Sequence, residues 1–277
     1  MLKIDSHQHF WKYDPVNYSW INDEMTVIRR DFMPVDLGPV LAINGFDGCV
    51  AVQADQTEAE NDFLLAHAAQ YDFIKGVVGW VDLQADNLAE RLAFYSESKK
   101  MKGFRHILQG EQQRDFMLRP AFLNGIKQLK AFGYTYDILI HHDQLQYAAD
   151  FISRFPDQPF VIDHIAKPDI KNREIDQWAK DIKEVAKFEN VLCKVSGMVT
   201  EADFKNWKPE DFTPYLDVVA EAFDTKRLMY GSDWPVCLVA ADYGRMAGIV
   251  KDYFSSFSSA EQGDILGGNA TRFYNLS

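Results

Sequence analysis

The stretch Phe160-Val161-Ile162-Asp163-His164-Ile165-Ala166-Lys167-Pro168 is a short apolar run that ends abruptly in two ionisable residues. Behind it, Glu174–Asn190 carries Ile175, Trp178, Ile182, Val185 and Phe188 on one stripe, the spacing of a helix with one apolar face. From Asn190 a second short apolar run begins, Val191-Leu192-Cys193-Lys194-Val195. Strand, amphipathic helix and strand in this order make a βαβ unit, and both strands are apolar on both faces, as parallel strands covered on two sides must be.

The unit recurs in both directions along the chain. Apolar strand runs begin near Leu2, Gly48, Lys75, Lys102, Tyr134, Phe160, Asn190 and Arg227. A second clear helical stripe runs through Phe122, Ile126, Leu129 and Phe132 within Arg119–Gly133, where Gly133 suits a left-handed helix end, and Leu88, Leu92 and Tyr95 form a weaker one. Eight βα repeats over residues 1–277, with no linker or low-complexity tract, predict a single-domain (β/α)₈ TIM barrel; an open doubly wound sheet is the alternative. Such a barrel places its active site at the C-terminal ends of the strands. The first βα connection is long, from Phe10 to about Phe46, and brings Trp11, Tyr13, Tyr18 and Trp20 to that face.

The bulk properties narrow the function. A net charge of −12, from 29 Lys and Arg against 41 Asp and Glu, predicts no nucleic-acid partner and no anionic membrane surface. No run is long enough to span a bilayer, and the opening Met1-Leu2-Lys3-Ile4-Asp5 enters a strand pattern without an apolar leader, so a cytoplasmic location is expected. Cys49, Cys193 and Cys237 form no paired motif and read as small core residues in a reducing compartment.

Seven of the eight predicted strand ends carry hydrogen-bonding or ionisable side chains. His7 and His9 end the first strand, and period two puts both imidazoles on one face, where they could bind a metal or polarise an oxygen. Successive strand residues face opposite ways, so of Asp163 and His164 only one is expected to enter the site, and His164 is chosen. A buried, hydrogen-bonded histidine is the plainer reading of that position. Asp233, in Gly231-Ser232-Asp233-Trp234-Pro235 after the eighth strand, could hold a water or a metal, or simply cap the next helix. Arg105 and His106 end the fourth strand; the guanidinium offers a donor fork for a carbonyl or makes a structural salt bridge. Of His141 and His142 after the fifth strand, His141 is the one expected to face inward. Gln53, Trp11, Lys194 and Ser196 could add contacts, Trp11 looking into the site from two residues beyond His9, and His67 is assigned no function.

At this point the chain resembles the amidohydrolase superfamily and, within it, the amidohydrolase-related branch of sugar-acid lactonases of the L-fuconolactonase and L-rhamnonolactonase type. The resemblance covers almost the whole chain, through His7-Gln8-His9-Phe10-Trp11, Val50-Ala51-Val52-Gln53-Ala54, Gly79-Trp80-Val81-Asp82-Leu83, Lys102-Gly103-Phe104-Arg105-His106, Asp163-His164-Ile165-Ala166-Lys167-Pro168, Cys193-Lys194-Val195-Ser196-Gly197 and Tyr230-Gly231-Ser232-Asp233-Trp234-Pro235. It implies hydrolysis of an aldonolactone to the free acid, with Asp233, His164, His7 and His9 as catalytic residues. It further implies substrate contacts from Arg105, with His106, Gln53, Trp11, His141 and Trp234 around the same mouth. A metal, if bound, would sit on His7, His9 and Asp233 with His141 as fourth ligand. No cofactor is expected to be required, and zinc is expected to be weakly held. A metal-dependent decarboxylase of the same superfamily is the rival reading.

Overall fold

The computed structural model describes residues 1–277. Eight parallel strands, β1 (Ile4–Gln8), β2 (Gly48–Val52), β3 (Ile74–Gly79), β4 (Met101–His106), β5 (Thr135–Ile138), β6 (Phe160–Ile162), β7 (Val191–Val195) and β8 (Leu228–Tyr230), lie side by side in sequence order. Each is followed by one helix of the outer ring: α1 (Pro34–Asn44), α2 (Glu58–Gln70), α3 (Leu88–Ser96), α4 (Pro120–Leu129), α5 (Leu145–Ser153), α6 (Asp176–Ala186), α7 (Pro209–Phe223) and α8 (Tyr243–Tyr253). This is the expected (β/α)₈ barrel, with each strand starting within two residues of its sequence estimate. Gly133 takes φ 74° and ends the α4 region in the left-handed conformation anticipated for it.

The double apolar coating of the strands has two destinations. Cys49 and Ala51 of β2 face the ring of helices within a core of 72 buried residues. Val50 and Val52 face the barrel axis instead, beside Ile4, Val78, Val161 and Met229. The C-terminal segment supplies Ala270, Tyr274 and Leu276 to this inner cluster and so plugs the N-terminal end of the barrel. Asn269 ties the plug to β8, donating from Nδ2 to the carbonyls of Thr225 (2.7 Å) and Leu228 (2.6 Å). All three cysteines are free and buried. No helix is long and apolar enough to cross a membrane.

The first connection is more ordered than its prolines suggest. Pro34 starts α1, where its missing N–H costs nothing, and Pro39 is accommodated within the helix. Trp11 is fully buried in this connection, packed on Tyr18, Trp20 and Phe32 with its indole N–H donated to the Arg30 carbonyl. The expectation that Trp11 looks into the site is therefore corrected: it anchors the connection behind His9, 6.4 Å from that ring.

The seam between β1 and β8 is built differently from the other seven. Only a short bridge joins Gln8 to Trp234, with Asp233 N donating to the His7 carbonyl (2.8 Å) and His9 N to that of Trp234 (2.7 Å). Side chains complete it: Ser6 Oγ donates to the Tyr230 carbonyl (2.6 Å), and Asp5 accepts from Ser232 N (2.9 Å) and the Tyr243 hydroxyl (3.0 Å). Gly231 permits the close approach, since a Cβ there would lie 2.6 Å from His7 Cβ.

Burial pushes the Asp5 carboxyl up to about 6, against the opposing bonds from Ser232, His7 and Tyr243. Between its unfolded value of 3.8 and about 6, the folded chain holds a proton that the unfolded chain lacks, so stability falls as pH rises through that window. In Asp5→Asn this fall should be absent. Urea unfolding of wild type and variant at pH 4 and pH 7 should give a stability difference that changes by up to about 3 kcal/mol in the variant's favour at the higher pH; a difference independent of pH would refute the assignment.

Candidate active site

The strands deliver their polar ends to one place. At the barrel's C-terminal face, His9 Nε2 lies 3.3 Å from Asp233 Oδ1, while His7 Nε2 and His164 Nε2 each lie 3.9 Å from it. His7 Nε2 and His9 Nε2 are 3.2 Å apart. All four residues are buried. Asp233 occupies the left-handed region at φ 57°, a turn of the backbone that brings its carboxylate back over the strand ends.

β6 ends at Ile162, and the backbone then runs left-handed through His164, Ile165, Ala166 and Lys167, with φ between 47° and 59°. Strand alternation therefore stops one residue before the pair. Both Asp163 and His164 enter the site, which corrects the expectation that only one would. Ser196 Oγ lies 2.9 Å from His164 Nδ1, and Gly197 (φ 65°) leaves the space in which a Cβ would sit 2.6 Å from that nitrogen.

Beneath this cluster lies a buried ion network. Lys194 donates to Asp137 Oδ2 (2.5 Å), pairs with Asp163 Oδ1 (3.0 Å) and lies 3.2 Å from His7 Nδ1. Arg105 donates to Asp163 Oδ2 (3.0 Å) and approaches His7 Nε2 (3.2 Å), and its other terminal nitrogen donates to the Gln53 carbonyl. The Tyr274 hydroxyl donates to Asp137 Oδ2 (2.8 Å), so the plug reaches the network from below. Burial opposes ionisation of Asp163, but Lys194, His7 and Arg105 outweigh it and hold its carboxyl well below the usual range. Burial also lowers His7 and His164 well below the usual imidazole value, with the Lys194 cation adding to the effect on His7, and both rings are neutral at neutral pH.

Several sequence expectations change place. Arg105 and Gln53 are bonded to each other, Gln53 Nε2 donating to the Arg105 carbonyl (3.0 Å), and the Arg105 guanidinium joins the ion network at Asp163 while reaching the central cluster at His7. His106 uses both ring nitrogens, on Glu111 (2.8 Å) and Trp80 (3.3 Å), and stacks on Phe116, so it holds the loop after β4. Trp234 is buried against Phe10 and Phe32. His141 stands apart from the four central residues, on the wall of the adjoining cleft with His142 and Lys167. Burial and the nearby Lys167 and Arg114 charges lower its imidazole to about 4.

The cluster fits a divalent cation. His9 Nδ1 lies 2.7 Å from the Val52 carbonyl, an acceptor only, so Nδ1 carries the proton and Nε2 turns its lone pair toward Asp233 and His7. Acceptors that crowd together in this way are satisfied by a proton or a cation between them. One atom each of His7, His164 and Asp233 lie within 4.8 Å of one another, a nitrogen and oxygen donor set that suits zinc. The expected His7, His9 and Asp233 set keeps its geometry, with His9 Nε2 3.2 Å from His7 Nε2 and 3.3 Å from Asp233 Oδ1; His141 stands apart from it, and the added candidate ligand is His164. The left-handed turn after β6, which strand periodicity cannot foresee, brings it there.

From the sequence, Asp137 and Tyr274 receive no role, and Asp163 falls outside the site. A signal was present: Asp137 in Tyr136-Asp137-Ile138 and Lys194 in Cys193-Lys194-Val195 are opposite charges inside apolar strands, and such charges must pair. Lys194→Met should strand two buried carboxylates and cost about 3–5 kcal/mol in chemical denaturation. Tyr274→Phe, which removes one hydrogen bond, should cost only about 1 kcal/mol; equal costs would disprove the central place of Lys194.

Comparison with known proteins agrees with this geometry. Residues 4–276 match the model of the amidohydrolase family. An L-fucono-1,5-lactonase of Burkholderia multivorans is 40% identical over 286 residues, covering 99% of this chain and 96% of the relative. An L-fucono-1,5-lactonase of Burkholderia ambifaria is 34% identical, covering 99% and 96%. The crystal structure of a zinc-bound amidohydrolase from Burkholderia multivorans superposes with a TM-score of 0.96 at 40% identity over 100% of both chains. With its barrel, its clustered strand-end residues and these full-length matches, the chain belongs to the amidohydrolase family.

Proposed function

We propose that this chain hydrolyses the cyclic ester of a sugar acid, an aldonolactone of the L-fuconolactone or L-rhamnonolactone kind, to the free acid. The kinship with L-fucono-1,5-lactonases supports the class, and the observation that carries the reading to this site is the wall of the cleft formed by the loops after β5, β6, β7 and β8. Asp233 does not itself line it, and its charge reaches that wall at Glu201. That cleft holds about 740 Å³ and is lined by 14 residues, of which only Ala202, Phe204 and Val239 are apolar. Five acids (Asp23, Glu24, Asp169, Glu201, Asp203) face three lysines (Lys167, Lys171, Lys205). A polar wall with an acidic surplus suits a neutral, hydroxyl-rich lactone and disfavours an aromatic carboxylate, the substrate that a decarboxylase would need.

In the proposed mechanism Asp233 takes a proton from a water, which attacks the lactone carbonyl. In the cation-free enzyme the mechanism uses the His164 tautomer in which Ser196 donates to Nδ1, so that the proton sits on Nε2 and can meet the developing oxyanion, a contact worth a few kcal/mol per well-placed donor. His7 and His9 complete the polar cage, and Arg105 acts through His7 and Asp163. The tetrahedral intermediate collapses as protonated Asp233 returns its proton to the departing ring oxygen. In the other His164 tautomer, with Nδ1–H donating to Ser196 Oγ and Nε2 unprotonated, His7, His164 and Asp233 would hold a divalent cation, which when bound supplies Lewis acidity toward the carbonyl and the water.

Asp233→Asn should lower kcat about 10²–10⁴-fold in a pH-indicator assay with aldonolactones while thermal unfolding stays near wild type; retention of more than about a tenth of the activity would remove Asp233 from the role of base. His164→Ala should reduce kcat more than it raises KM, because its contact strengthens as charge develops. Release of carbon dioxide from aromatic acids, with no lactone opening, would establish the decarboxylase instead.

A lactone is a reactive electrophile, and aspartate with imidazole donors can open it unaided, so zinc is proposed to be dispensable. Protein prepared without added zinc should contain well under one equivalent by elemental analysis and keep most of its activity in chelator. Stoichiometric zinc, with activity lost on chelation and restored by the ion, would overturn this.

A further inference from the structure

We propose that Lys167 and Glu201 form a diol-reading subsite that sets the substrate preference of the enzyme; this rests on the lactonase reading above. Lys167 Nζ and Glu201 Oε1 stand 3.7 Å apart on the cleft wall, beyond hydrogen-bond length, and both side chains are partly open to the cleft, at 17% and 21% exposure. Such a pair leaves donors on one side and an acceptor on the other. Two neighbouring hydroxyls match it, one accepting from the ammonium and the other donating to the carboxylate.

The pair is held ready for this task. Lys167 closes the left-handed run that starts at His164, and its N–H donates to the His164 carbonyl (2.8 Å), so its place is set by the residue that meets the reacting carbonyl. The Lys167 carbonyl lies 2.9 Å from His142 Nδ1, and Lys171 N donates to the Glu201 carbonyl (2.9 Å), joining the loops after β5, β6 and β7. Lys167 is among the charges that depress His164, and burial and the Asp233 charge both push the Glu201 carboxyl up. The subsite therefore lies within electrostatic reach of both reacting groups. Ring hydroxyls bound here would seat the ester carbonyl by its own stereochemistry, a positional fit that an unsubstituted ring cannot make.

The test compares kcat/KM for a fully hydroxylated aldono-1,5-lactone with that for δ-valerolactone, the same ring without hydroxyls. Wild type should favour the hydroxylated ring. Lys167→Met and Glu201→Gln should each reduce that preference at least tenfold, mainly through KM for the hydroxylated lactone, and Lys167→Arg should restore part of it. An unchanged ratio, including an equal loss on both lactones as a merely structural role would give, overturns the proposal. If wild type opens neither lactone, the lactonase reading fails, and the subsite is then judged by calorimetric titration with the open aldonate. A tenfold weaker affinity in Lys167→Met would sustain it, and equal affinity would overturn it.

Discussion

The active site depends on charges buried inside the barrel. Lys194 and Arg105 on one side, Asp137 and Asp163 on the other, are removed from water, and each would be intolerable without its partners. The four balance in sign, and their geometry has a second product. Lys194 and Asp163 both bear on His7 Nδ1, at 3.2 and 3.3 Å, so the orientation of a central imidazole is dictated from the interior. Buried pairs contribute little net stability compared with apolar packing, but they confine side chains to few arrangements. A cluster of imidazoles around one carboxylate requires that confinement.

Above this foundation, two departures from regular strand geometry shape the catalytic face. The left-handed run after β6 turns a strand end into a tight coil that presents Asp163 downward to the ion network, His164 to the reacting centre and Lys167 to the cleft. The left-handed Asp233 does the same at β8 with a single residue. Non-glycine residues held in this region carry a conformational cost, which the dense bonding around them offsets.

The barrel was legible because its signal is periodic and repeated: apolar on both strand faces, one stripe per helix, eight times over. The convergence of His7, His9, His164 and Asp233 was legible from their places at strand ends. What could not be read were the positions governed by backbone turns and by contacts remote in sequence. Phasing β6 on Ile162 allots Asp163 to the outside, whereas Val161 is the residue that faces the barrel axis; Asp163 follows Val161 inward, and the turn after Ile162 brings His164 in as well. Trp11, His106 and Gln53 have the chemistry of binding residues, but their polar atoms are claimed by Arg30, Glu111 and Arg105, partners that no local pattern announces. Asp137 and Tyr274 meet across 137 positions of sequence.

The β1–β8 seam has a consequence for the order in which the molecule becomes itself. Its side-chain bonds join residues 224 to 238 positions apart, close to the full length of the chain. Contacts so distant carry the largest loop-closure cost and form after local βα units have gathered. His7 and His9 belong to the first strand and Asp233 to the last turn, so no half of the barrel contains a working centre. During refolding, helical signal and hydrophobic burial would precede catalysis, and turnover would mark the moment at which the ring closes.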